Sequence, residues 1–213
     1  THRMSSAASD VYKRQEKGDI RSESLAAVFS GVTSTFDMPN VDPNTTTIDL
    51  LRERNSLGAN KSWTNYSYYF GATETNLEEI KKLNPKETCG LKVFMGTSTG
   101  TLLVEDDFAL EQIFQFCPVT IVTHCEDNET IKNNSDNVNS QKQILDASYH
   151  PIIRDDLCCY KSSSKVIDLA KKYSSDLHVL HLTTEKEINL FENTDLKNKK
   201  ITCEVCVHHL WFD

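Results

Sequence analysis

The chain has 213 residues, of which 38% are hydrophobic and 25% charged, so it can bury one sizeable core. Its formal net charge of −8 argues against nucleic acid as a main partner. No apolar run approaches the roughly 18 residues that span a bilayer, so we expect no membrane partner. The seven cysteines lack the spacing of a disulfide framework, which favours reduced thiols in a cytoplasmic protein.

The first fifteen residues, THRMSSAASDVYKRQ, have no helical or strand period and few apolar side chains. We expect residues 1–15 to be a non-native or disordered tail, and residues 16–213 to form part of one domain. The chain stops after HHLWFD without a capping or tail signal, so both ends are expected to be cuts.

Six β-rich apolar runs alternate with helical patterns along the rest of the chain. They lie at 31–38, 65–72, 89–96, 119–126, 177–184 and 201–208. This alternation predicts βαβ units and a parallel sheet, and the spacing fits either a doubly wound sheet or a (β/α)8 barrel. No glycine-rich nucleotide loop follows any run. The long polar stretch 127–176 is predicted to be an extended loop of the kind that builds active sites, with a helical pattern at SSSKVIDLAKKY that leads into the fifth run.

Polar residues stand where several of these runs end, at the edge where parallel α/β proteins place their sites. Lys92 lies inside the apolar strand LKVFMG, where an unpaired ammonium is costly unless its stem reaches the strand end. His124 closes VTIVTH, and His181 lies near the end of LHVLHLTT. Because strand residues alternate faces, an inward His181 puts His178 on the outer face. Each histidine could instead be a core residue hydrogen-bonded to a neighbour, which we favour for His178.

Lys92, His124 and His181 together suggest a metal centre on three strand ends. Imidazoles are common zinc ligands, and a lysine that has reacted with carbon dioxide becomes an anionic carbamate able to bridge two cations. Two metal ions about 3.5–4 Å apart would polarise a carbonyl and activate water. Glu126 is a candidate to accept a hydrogen bond from a ligating imidazole. Arg154 could meet an anionic group, but we expect it to form a surface salt bridge instead.

The tract CEVCVHH, residues 203–209, offers a second possible set of metal ligands. Cys203 and Cys206 have C-x-x-C spacing, but three residues apart on a strand the thiols point to opposite faces. A zinc knuckle is therefore disfavoured. His208 or His209 could still face an active site at the end of this strand.

These motifs together resemble the cyclic amidohydrolases, and among them the dihydroorotase family most closely. DMPN, LKVFMG, THCED, HVLHLTT and EVCVHHL match in family order, each at a strand end. The resemblance runs from about Glu16 to Asp213 and implies an incomplete TIM-type (β/α)8 metal-dependent hydrolase barrel, strands two to seven of eight. It also implies a zinc centre of two ions.

Residue by residue, the resemblance assigns carboxylated Lys92 as the bridge between the two zinc ions. It makes His124 and His181 ligands of the second ion. Asn40 of DMPN matches the family asparagine that contacts the substrate carboxylate, and the alternative is a turn residue after Pro39.

Parts of the family pattern are not found in this chain. A His-x-His zinc pair and a substrate-binding arginine are expected just before EKGD, where SSAASDVYKRQ stands. The general acid/base aspartate is expected beyond Asp213, so we assign no catalytic residue within the chain. We expect the chain alone to be inactive because half of the ligand set is missing, and unstable because an unclosed barrel exposes two strand edges.

The resemblance implies zinc-dependent, reversible closure of N-carbamoyl-L-aspartate to L-dihydroorotate in pyrimidine biosynthesis. The expected partner is this small-molecule substrate, and a homo-oligomer is compatible with the sequence. Two alternatives stay open. One is a sister enzyme, a dihydropyrimidinase, hydantoinase or allantoinase; the other is a non-catalytic amidohydrolase-like scaffold.

Overall fold

The computed structural model describes residues 18–96, 102–141 and 146–212, and the predicted tail at 1–15 lies outside them. The chain forms two compact units. The first contains the described residues up to Val93 together with 102 to Ile121, and the second contains Phe94 to 96 together with the described residues from Val122 onward. Both units consist of parallel strands that alternate with helices, as the spacing of the apolar runs predicts.

The first unit is built on parallel strands paired in chain order. Register places Asp37 beside Tyr68 and Gly71 beside Lys92. The strands are β1 (Ser34–Asp37), β2 (Asn65–Gly71) and β3 (Gly90–Phe94), and the helices are α1 (Ile20–Phe29), α2 (Ile48–Lys61), α3 (Leu77–Ile80) and α4 (Asp107–Phe116).

The core of this unit lies between the strands and the helices that follow them. Phe70 and Leu91 are fully buried, as expected for parallel strands covered by helices. Helix α4 buries Leu110, Ile113 and Phe114, the i, i+3, i+4 stripe of an amphipathic helix. Each such side chain contributes about 1.5–3 kcal/mol on leaving water, so the buried face of α4 stabilises the first unit.

The second unit also pairs its strands in parallel, with Leu177 beside Ile201. Its strands are β4 (Ile121–His124), β5 (Leu177–Val179) and β6 (Ile201–Cys203). Its helices are α5 (Asn128–Gln141), α6 (His150–Ile153), α7 (Asp156–Tyr173) and α8 (Glu185–Ile188), with 3-10 helices at Ala147–Tyr149, Leu196–Asn198 and Val207–Leu210. Across the described ranges, no helix combines the length and the apolar character needed to cross a membrane.

The helical pattern predicted at SSSKVIDLAKKY is confirmed as part of α7, but the prediction of an extended loop over the rest of 127–176 is wrong, because α5, α6 and the start of α7 make most of it helical. Asp127 precedes α5, and its side chain caps the helix by accepting a hydrogen bond from Thr130 N at 3.0 Å. Asp155 does the same for Cys158 N at 3.0 Å and begins α7. Polar Asn and Ser residues have weak helix propensity, but two side-chain caps and the buried face of α7 outweigh it.

Candidate functional site

Two histidines meet at the carboxyl ends of β4 and β5 in the second unit. His124 Nδ1 lies 3.0 Å from His181 Nε2. The ring centroids are 4.9 Å apart and the ring planes meet at 71°, so the rings meet edge to face. The structure therefore brings together two of the three residues that the sequence nominates as metal ligands.

The direction of the His181 side chain is set by a left-handed backbone conformation, and not by the alternation of side chains along a strand. Strand β5 ends at Val179, and the backbone of His181 has a φ of +37°. This conformation is uncommon for a residue other than glycine and is found mostly where surrounding contacts enforce it. Here Leu180 N donates to Thr123 O at 3.1 Å, and Thr183 Oγ1 donates to the carbonyl of His181 at 2.7 Å.

His178 remains on the strand and has its own polar partners. Its Nδ1 is hydrogen-bonded to Thr202 Oγ1 at 2.8 Å, and its Nε2 lies 3.2 Å from Glu204 Oε2. This is the hydrogen-bonded core histidine that the sequence favours, and it leaves His124 and His181 as the pair that converges.

A buried carboxylate orients His124 from behind. His124 Nε2–H donates to Glu126 Oε2 at 2.8 Å, and the Arg154 guanidinium donates to the same oxygen. Burial would raise the pKa of Glu126, but the hydrogen bonds from His124 and Arg154 outweigh it and lower that pKa to about 2. Glu126 is therefore an anion at neutral pH, which holds the proton on Nε2 and turns the Nδ1 lone pair toward His181.

Arg154 forms a salt bridge, as predicted, but the prediction that this salt bridge lies at the surface is wrong. Arg154 pairs with a glutamate whose side chain is 10% exposed, so it is part of the chain of contacts to His124 rather than a surface bridge. Sequence reasoning missed this contact because the two residues are 28 positions apart. One usable signal was that Arg154 is the sole arginine in the long polar stretch 127–176.

Gly96 lets the backbone after β3 lie directly against Glu126. A Cβ at position 96 would lie 2.7 Å from the Cβ of Glu126, closer than carbon atoms can pack. Next to it, Met95 N donates to the carbonyl of His124 at 3.0 Å. The glycine that follows LKVFM therefore allows close packing behind the histidine pair.

The two imidazoles fit a tetrahedral zinc ion. Zn–N bonds of about 2.0–2.1 Å at a tetrahedral angle put two ligating nitrogens about 3.3 Å apart. The observed separation of His124 Nδ1 and His181 Nε2 is 3.0 Å, so a small outward movement would suffice. His181 would then carry its proton on Nδ1.

Lys92 lies in the first unit, in the middle of β3. It is 2% exposed, and its carbonyl accepts a hydrogen bond from Ala72 N at 2.9 Å. An aliphatic stem that carries the ammonium out to water would leave the side-chain end exposed. The side chain is instead among the largest that are fully buried, which disfavours that alternative.

Asn40 lies in the same unit, in the loop after β1. Its Oδ1 is buried, and within the described ranges it has no hydrogen-bond partner. The loop is anchored around it: Arg54 donates to Asp37 Oδ2 at 2.6 Å, and Thr45 N donates to Pro39 O at 3.0 Å. A buried amide oxygen without a partner is rare in proteins and fits a group that meets a ligand.

The sequence of the chain is similar to those of enzymes that act on cyclic amides. No protein-family model matches the chain. A dihydroorotase from Methanothermobacter thermautotrophicus is 27% identical over 197 residues, which are 92% of this chain and 43% of the relative. An L-hydantoinase from Paenarthrobacter aurescens is 29% identical over 209 residues, with coverage of 92% and 43%. An allantoinase from Deinococcus radiodurans is 25% identical over 198 residues, with coverage of 89% and 43%.

The fold of the chain also matches solved structures of such proteins. The L-hydantoinase (dihydropyrimidinase) from Arthrobacter aurescens matches with a TM-score of 0.79 and 23% identity, over 87% of this chain and 42% of that one. An inactive dihydroorotase-like domain of a Chaetomium thermophilum CAD-like multifunctional protein matches with a TM-score of 0.59 and 17% identity, over 89% and 47%. This confirms the predicted fold class, part of a (β/α) barrel of the amidohydrolase type.

The chain is thus similar to the cyclic amidohydrolases over about nine tenths of its length, which confirms the resemblance drawn from its motifs. Dihydroorotase is the most frequent name among these relatives, ahead of allantoinase and hydantoinase. The chain spans less than half of the length of the curated relatives it matches.

Proposed function

We propose that the complete protein is a zinc-dependent cyclic amide hydrolase, and specifically a dihydroorotase. The reaction would be the reversible closure of N-carbamoyl-L-aspartate to L-dihydroorotate in pyrimidine biosynthesis. The observation that supports this most is the convergence of His124 Nδ1 and His181 Nε2 at 3.0 Å, backed by the carboxylate of Glu126.

His124, His181 and carboxylated Lys92 are the proposed metal ligands in this chain. When bound, zinc would polarise the ring carbonyl and lower the pKa of water. The residues of the chain prepare this site. Glu126 holds the proton on His124 Nε2, and Arg154 holds Glu126 as a carboxylate, so that Nδ1 stays free to bind the metal.

Carboxylation would remove the cost of burying Lys92. The neutral amine adds carbon dioxide and loses a proton, and the product is a carbamate whose single negative charge is shared by two oxygens. An ammonium in the middle of a buried strand needs compensation, whereas a carbamate is compensated by metal coordination. The burial of Lys92 and the match of LKVFMG to the family motif support this assignment.

Asn40 is the proposed contact for the substrate. Its buried Oδ1 could accept a hydrogen bond from a ring N–H, and rotation of the amide would present Nδ2 to a carboxylate instead. Asn40→Ala in the complete enzyme is expected to raise KM for dihydroorotate while metal content stays unchanged. A turn role would instead lower stability without a selective effect on KM.

Substrate preference is tested with the complete protein, expressed from the full gene. Hydrolysis rates are compared for L-dihydroorotate, hydantoin, dihydrouracil and allantoin, and the proposal expects the highest kcat/KM for L-dihydroorotate. The L-hydantoinase at 29% identity makes hydantoin hydrolysis the second candidate. A clear preference for hydantoin would replace the proposed substrate but not the reaction class.

A non-catalytic scaffold is the third candidate, since one structural neighbour is an inactive dihydroorotase-like domain. Lys92, His124 and His181 are all present in this chain, which argues against loss of the metal site. Sequencing the gene beyond both ends separates these candidates. A His-x-His-x-Arg motif before EKGD and a strand-end aspartate after HHLWFD would support the enzyme, and their absence would support a scaffold.

A further inference from the structure

A second group of metal-binding side chains lies after β6. Cys206, His208 and His209 each offer one ligand atom, and these three atoms lie within 4.8 Å of one another. In the part of the chain that the structure describes, this is the one group of three or more His, Cys, Asp or Glu side chains with such spacing. It shares no residue with the His124–His181 pair.

A short 3-10 helix gathers these side chains. Cys206 is the N-cap residue of the helix Val207–Leu210. Residues three apart eclipse each other in a 3-10 helix, so Cys206 and His209 lie on one side. The rings of His208 and His209 are 4.3 Å apart. Cys206 N donates to His209 Nδ1 at 3.3 Å, a long hydrogen bond that His209 would give up on binding a metal ion, because the accepting lone pair and the proton on Nε2 otherwise leave no nitrogen to ligate. The grouping depends on local backbone geometry alone.

The structure also removes one of two reasons for disfavouring metal binding by this tract; the other, that the chain has no second C-x-x-C, concerns a zinc knuckle of four ligands. Strand β6 ends at Cys203, so Cys206 is not on the strand, and the argument that the Cys203 and Cys206 thiols point to opposite faces does not apply to it. The partners of Cys206 are the two histidines after it rather than Cys203.

The donor set selects the kind of metal. One thiol and two imidazoles suit a borderline-soft divalent ion, and with no carboxylate in the group they suit magnesium or calcium poorly. Zinc with bonds of about 2.3 Å to sulfur and about 2.0–2.1 Å to nitrogen needs ligand atoms about 3.3–3.6 Å apart. Side-chain rotation could close the difference of about 1 Å, because His208 is exposed and the other two are half-buried.

We propose that Cys206, His208 and His209 bind one Zn²⁺ ion, with water in the fourth position. The thiol loses its proton on coordination and binds as the thiolate. The ion would fasten the segment after β6, where the side chains of Val207 and Leu210 are exposed. This proposal is independent of the proposed enzyme activity.

The first test is a cobalt titration of the whole 213-residue chain, purified without metal and with reduced thiols. Cobalt bound by a thiolate gives a sulfur-to-metal charge-transfer band in the near ultraviolet. We expect the band in the unsubstituted chain, in the matched control Cys203→Ser and in His181→Asn. We expect it to disappear in Cys206→Ser. A band that survives in Cys206→Ser, or no band in the unsubstituted chain, overturns the proposal.

The second test needs no variant and so does not depend on variant folding. The chain is alkylated with iodoacetamide with and without Zn²⁺, and modification is mapped by mass spectrometry. Zinc is expected to slow alkylation of Cys206 at least about tenfold and to leave Cys203 unchanged. The free thiolate is the nucleophile, so when about nine tenths or more of the chains hold zinc at this site, about a tenth or less of the Cys206 thiolate is free to react. Equal alkylation of Cys206 with and without zinc contradicts the proposed site.

Discussion

Replacement of Arg54 by methionine tests how the loop that carries Asn40 is held. Arg54 Nη2 lies 2.6 Å from Asp37 Oδ2, and the two side chains are 8% and 17% exposed. The guanidinium also lies over the ring of Tyr68, with its Cζ 5.2 Å from the ring centroid. The other oxygen of Asp37 accepts from Met38 N at 3.1 Å, so this one carboxylate links α2 to the start of the loop.

Removal of one partner leaves the other charge buried without compensation, which costs about 3–5 kcal/mol. Because Asp37 retains some exposure, we expect Arg54→Met to lower the free energy of unfolding by about 3 kcal/mol, the lower end of that range. The double variant Asp37→Asn/Arg54→Met removes both charges. It should cost less than the sum of the single variants, by about 1–3 kcal/mol.

Urea unfolding of the chain, followed by tyrosine and tryptophan fluorescence, measures these differences. Arg52→Met is the matched control on the same helix, because Arg52 is 61% exposed and its contact with Glu87 is 3.4 Å long. An exposed pair of this kind contributes no more than about 1 kcal/mol. If Arg54→Met is as mild as Arg52→Met, or if the double variant is simply additive, the buried pair does not anchor the loop.

Two further predictions concern the contacts behind His124. Glu126→Ala removes the acceptor for His124 Nε2–H and should weaken zinc binding about 10- to 100-fold in competition with a chelator, while the exposed Glu129→Ala should have no effect. An unchanged affinity would show that Glu126 does not orient His124. Gly96→Ala adds a Cβ 2.7 Å from Glu126 and should lower the free energy of unfolding by about 1–3 kcal/mol in the same urea assay. Stability equal to that of the unsubstituted chain would contradict the close packing described here.

Local signals made much of the fold predictable. The apolar runs overlap the six strands of the described residues, because a parallel strand covered on both faces needs continuous apolar side chains. The T-E-K-E tract forms a capping box at Thr184 and Glu187, and its residue types at this spacing are the sequence signature of a helix start. Local sequence pattern and local structure agree in these elements.

The parts that sequence could not predict depend on distant contacts. The pairing of Glu126 with Arg154 joins residues 28 positions apart, and no periodic pattern signals it. The left-handed backbone of His181 could not be predicted from strand alternation, which assumes that the strand continues. The sequence therefore predicts which residues form the candidate site, but not the directions in which their side chains point.

The central claim is that Lys92, His124 and His181 hold metal in the complete protein. The most direct measurement is the zinc content per chain of the complete protein and of its Lys92→Ala, His124→Ala and His181→Ala variants, with folding checked by circular dichroism. We expect zinc in the unsubstituted protein and a loss of zinc in each variant, together with loss of L-dihydroorotate hydrolysis. Zinc content that is unchanged in all three variants would contradict it.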